Sequence, residues 1–100
     1  MESVTFIFTG TSTQAWTPTG DVSLVAVGSY GETAAVSWDP AVTIQSFIGA
    51  LADSMDKNVI AFSIANGMQN LPAPVPISAG RSIFVASSAK GALTLYYIIS

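Results

Sequence analysis

The chain has one hundred residues, half of them apolar and only 9% charged, with a net charge of −3 and neither cysteine nor histidine. That excludes disulfides and thiolate metal sites, and it removes the commonest general base together with the commonest metal ligand. Three scattered basic residues, Lys57, Arg81 and Lys90, cannot displace the counterions of a phosphate backbone, so no nucleic acid is expected as a partner.

No window approaches the ~18 consecutive apolar residues of a membrane helix, so no membrane partner is expected. The opening MESVTFIFTG carries Glu2 where a secretory signal would be basic. The expectation is a soluble protein made and retained in the cytoplasm. Its sparse charge is the more telling figure, since soluble surfaces ordinarily carry roughly 25–35% charged residues. Such a chain either coats itself with hydroxyls or hides surface in an assembly.

In chain order, Val4–Thr9 alternates with Val4, Phe6 and Phe8 on one face and predicts a first strand. Gly10–Thr13 breaks it. Gln14–Pro18 is a short extended piece, confined by Pro18 to an edge or a strand end. Val22–Val27 predicts a strand, Gly28–Glu32 a hairpin-type connection, and Thr33–Trp38 the returning strand, stopped by Asp39-Pro40.

The middle supports two readings. Ile44, Phe47, Ile48, Leu51 and Met55 recur at helical spacing, which predicts a short helix near residues 43–56. Gly49 inside that segment disfavours a helix by about 1 kcal/mol relative to Ala, which keeps a strand followed by a loop open.

Asn58–Ile64 predicts a strand and Asn66-Gly67 a turn. Leu71–Ile77 has proline at 72, 74 and 76 and so reads as an edge segment. Arg81–Ser87 and Ala92–Ile99 predict the closing strands. Seven or eight short strands at regular spacing indicate a single all-β domain over residues 1–100, an antiparallel sandwich.

The closing strand raises a further question. Leu93, Leu95, Tyr97 and Ile99 share one face and suit the interior; Ala92, Thr94, Tyr96 and Ile98 share the other. Tyr buries its ring at interfaces while its hydroxyl stays paired. Tyr96 and Ile98 are therefore candidate contacts with another copy, unless a part of the same chain covers them.

Among the other aromatics, Trp16 lies in an edge segment and Tyr30 at a hairpin tip, where they could anchor a partner or stack on a sugar. Trp38 reads as core. Chemistry is hard to assemble from the remainder. Ser87 or Ser88 with Lys90 is better read as a solvated turn, and Asp53 with Asp56 as a solvated loop rather than an acid–base pair or calcium site. Neither an enzyme nor a cofactor or metal site is expected.

The run PVPISAGRSIFVASSAKGALTLYYI, Pro74 to Ile98, joins an apolar extended segment, a Gly-centred turn, a strand, a small-residue loop and a Leu-Tyr-Tyr strand. It resembles the last strands of small jelly-roll domains in tailed-bacteriophage virions, of the capsid decoration (cement) or fibre-tip type. Thr5–Gly31 is compatible with that group's opening strands. The resemblance implies a jelly-roll-like sandwich and a homotrimer on the capsid surface of a virion. Its partner there would be the major capsid protein. The alternative it carries is a host-surface or carbohydrate-binding fibre-tip module. It brings no catalytic residues. The interface positions expected on this reading are Tyr96, Ile98, Tyr30 and Trp16.

Overall fold

The structure, a computed structural model, describes residues 1–31, 34–39, 59–63, 66–87 and 89–99. Among these residues eight strands form: β1 Glu2–Phe8, β2 Ser12–Trp16, β3 Val22–Tyr30, β4 Ala34–Ser37, β5 Val59–Ser63, β6 Gly67–Ile77, β7 Ile83–Ser87 and β8 Gly91–Ile99. They divide into two four-stranded antiparallel sheets. Sheet I has the order β1-β8-β3-β6 and sheet II the order β2-β7-β4-β5. The expected all-β sandwich is what the chain forms. Each strand of one sheet is followed in sequence by a strand of the other or by its return, the two-Greek-key order of a jelly roll. The suggested helix near 43–56 lies outside the described residues, as do Asp53 and Asp56.

Alternation explains the core. Phe6, Phe8, Val22, Leu24, Val27, Ile77, Leu93 and Leu95 point inward from sheet I and meet Ala34, Val36, Ile83 and Val85 from sheet II. Burying each large side chain contributes about 1.5–3 kcal/mol. Leu93 and Leu95 fill the interior as their alternation predicts, with Tyr97 packed against them. Ile99 corrects the expectation: it has the inward phase and pairs with the buried Val22, but it borders an open cleft and is 72% exposed.

Two irregularities shape sheet I. Opposite β8, Leu24 pairs with Tyr97 and Ala26 with Tyr96, so Val25 is one extra residue in β3, a β-bulge. Opposite β6, Leu24 pairs with Val75 and Ala26 with Asn70, so four β6 residues, 71–74, face that single position. The bulge resets the phase, letting Leu24 and Val27 both point inward. β3 also runs on through Gly28 and Tyr30, where a hairpin connection was expected. The turn falls instead at Gly31, whose φ is +96° and whose amide donates to Asn66 Oδ1 at 3.1 Å.

β6 lies at the edge of sheet I, as its three prolines require. Residues 9–11, 31, 66 and 89–90 sit at the Tyr30 end of the sandwich. Residues 17–21, 38–39 and 78–82 sit at the opposite end, beside Trp16 and Val22.

Candidate interaction face and loop-end cleft

Among the described residues only one charged residue, Glu2, lies inside a strand; Asp21, Asp39, Arg81 and Lys90 fall between strands. The sheet surfaces are therefore built from hydroxyls and hydrocarbon. On the outer side of sheet I the strand pairing lines up three cross-strand rows. Ile7, Ala92 and Tyr30 form the first, and Thr5, Thr94, Gly28 and Met68 the second. Ser3, Tyr96, Ala26 and Asn70 form the third. Not one of these side chains is ionised.

The rows are held together locally. Thr5 and Thr94 hydroxyls share a 2.9 Å hydrogen bond, a cross-strand pair that fixes β1 against β8. A Cβ placed on Gly28 would stand 3.6 Å from Tyr96 Cε2, so the tyrosine ring reaches over the glycine. Gly28 thereby forms the floor of a groove of about 260 Å³ between Tyr30, Met68, Thr94 and Tyr96. Ile7, Tyr30 and Met68 around it are 69%, 76% and 64% exposed. Three large apolar side chains on one uncharged face carry the marks of a contact surface: aromatic and Met enrichment with charge depletion.

Three of the four expected interface residues belong to this face. Tyr30 and Tyr96 share the groove, and Ile98 lies on the same side nearer the other end, paired with Ser23. Tyr96 is half-buried, resting on its own sheet. Trp16 goes elsewhere. It sits at the opposite end of the sandwich, half-buried and packed on the core, with its ring centroid 4.9 Å from that of Tyr97. Trp38, expected as core, packs partly against it and carries the Arg81 guanidinium 3.8 Å above its ring.

Ile7, Gly28 and Met68 were missed in the sequence. For Ile7 a signal existed, since it alternates against Phe6 and Phe8. Met68 had none, because Gly67–Asn70 is polar enough to conceal the start of β6.

The Trp16 end holds a second concavity, a cleft of about 410 Å³ lined by Trp16, Tyr97 and Ile99 on one side and by Thr17 to Asp21 on the other. The loop 17–21 is fixed to the turn 78–82 by three hydrogen bonds. Gly80 N donates to Pro18 O at 2.9 Å and Ala79 N to Asp21 Oδ1 at 2.9 Å, and Thr17 Oγ1 and Ser82 Oγ lie 2.5 Å apart.

Of the two candidate serines, Ser87 Oγ donates to Ala89 O at 2.8 Å, and Ser88 lies outside the described residues. Among the described residues no group of three or more acidic side chains comes together. No family model, no curated protein and no solved structure matches the chain.

Proposed function

We propose that this protein is a structural subunit that associates with copies of itself and clamps the neighbouring proteins of a shell, in the manner of a tailed-phage capsid decoration protein at the virion surface. The observation that carries the reading is the outer face of sheet I, where three cross-strand rows present no charge and leave Ile7, Tyr30 and Met68 in solvent. A second copy seated there would cover these side chains and fill the Gly28 groove. With no ionised group on the face, association desolvates hydroxyls and hydrocarbon only, and avoids the penalty of burying charge. The reading needs neither a catalytic residue nor a cofactor.

The rival reading, a host-surface or sugar-binding fibre-tip module, drew on Trp16 and Tyr30 as aromatics that could each stack on a sugar. Those two aromatics stand at opposite ends of the sandwich, so they cannot form one platform.

Sedimentation tests the assembly. The native chain should sediment as an oligomer, and Thr94→Arg and Met68→Glu should each give folded monomers with an unchanged circular dichroism spectrum. A native chain that stays monomeric at high concentration ends the proposal. Mass spectrometry of purified phage particles from the source culture tests the virion part, with absence of the chain as the adverse result.

A further inference from the structure

We propose that the cleft at the Trp16 end binds a neutral saccharide ring, with the Trp16–Tyr97 pair as its apolar wall and Asp21 as its hydrogen-bond acceptor. The site lies at the loop end rather than on the outer face of sheet I, so it does not depend on the assembly reading.

Volume is the first argument. About 410 Å³ falls within the ~300–1,000 Å³ of small-molecule pockets. The lining then selects the ligand. It includes one carboxylate, Asp21, and no basic residue, so an anionic ligand would meet uncompensated repulsion in a partly enclosed site. A quaternary ammonium group is recognised by aromatic faces that surround it. Trp16 and Tyr97, with centroids 4.9 Å apart and planes tilted by 45°, touch each other and leave no slot for a cation between them. Together they make one continuous apolar surface.

A pyranose ring matches that surface chemically. Its C–H faces are apolar and its hydroxyl rim needs acceptors and donors at the edge of the wall. Asp21 supplies an acceptor: Ala79 N occupies Oδ1 and so orients the carboxylate, leaving Oδ2 for a sugar hydroxyl. Thr19 and the backbone of residues 17–20 complete the polar side. This side is built before any ligand arrives, because the three hydrogen bonds to residues 78–82 hold the loop. Little ordering cost then remains to be met on binding. Ile99, 72% exposed at the mouth, gains cover when the ring enters.

Ligand-observed NMR on the purified chain tests the site, using the methyl glycosides of glucose, galactose, mannose and N-acetylglucosamine at millimolar concentrations. Tetramethylammonium and inorganic phosphate serve as contrasting probes. At least one glycoside should bind saturably, and the other two probes should not. Asp21→Ala should weaken that glycoside by about tenfold or more, as expected for a lost hydrogen bond to a charged group. Trp16→Phe, which keeps a ring in the core, should weaken it several-fold while the melting curve stays cooperative. The proposal is overturned if no glycoside saturates, if Asp21→Ala leaves sugar binding intact, or if tetramethylammonium binds instead. Sedimentation of the same samples reports on assembly separately.

Discussion

Gly31 and Gly80 both adopt the left-handed backbone, at φ +96° and +83°, but their surroundings differ. A Cβ at Gly80 would meet nothing within 4 Å, whereas one at Gly31 would stand 3.0 Å from the Lys90 carbonyl oxygen and 3.1 Å from Gly91 Cα. Both neighbours of Gly31 are backbone and cannot swing aside. Gly80→Ala should therefore cost the conformational penalty alone, about 1–2 kcal/mol. Gly31→Ala should add an overpacking term, for a total of about 2–5 kcal/mol. Urea midpoints at constant slope measure both, and equal losses would contradict the argument. At this scale the sequence is informative where one residue type has one physical use. Asn66-Gly67 signals a turn, and Asn66 indeed holds φ +57° there. Trp16 shows the opposite, since an aromatic at a strand end can face solvent or core with equal local propriety.

Among the elements, strict alternation is what makes a strand readable. Leu93 and Leu95 are assigned to the core because Thr94 between them is polar, and Phe6 and Phe8 because Thr5 and Thr9 flank them. The bulge in β3 is invisible for the converse reason: Val25, Ala26 and Val27 are all apolar, so no polar residue marks the phase. Its presence yields a test. Removing Val25 would restore an even ladder with β8 and leave Leu24, Ala26 and Val27 pointing as they do now. Removing Gly28 would turn Ser29 outward and drive Tyr30 into the interior, because a one-residue slip exchanges the two faces. The Val25 deletion should stay folded with a cooperative melt, and the Gly28 deletion should lose it. Similar behaviour of the two would mean that β3 is not held by its inward side chains.

At the scale of the molecule, the ionised groups among the described residues gather at the two ends, and the sheets between carry almost none. An oligomer formed through the outer face of sheet I should therefore keep its sedimentation coefficient from about 50 mM to 1 M sodium chloride, because screening acts only on charge. Dissociation on adding salt would place the contacts at the charged loops instead. The β class and the sandwich architecture were legible from strand spacing, and the low charge raised the expectation of a surface covered in an assembly. Which residues share that surface was not legible. Tyr30, Met68 and Tyr96 come from three strands and lie 28 to 66 residues apart in sequence, Tyr30 and Tyr96 being the most separated pair, and only the strand order brings them together.

The two borders of sheet I have one more effect. Pro76 cannot offer an amide to an incoming strand, and Pro72 and Pro74 lie along the same margin. On the far margin, Gln14 Nε2 already occupies the Ile7 carbonyl at 2.7 Å. Open margins are where chains recruit one another into fibrils. With one stoppered by imino acids and the other partly capped by a side-chain amide, many copies can crowd together, flat against flat, without templating endless cross-β ribbons.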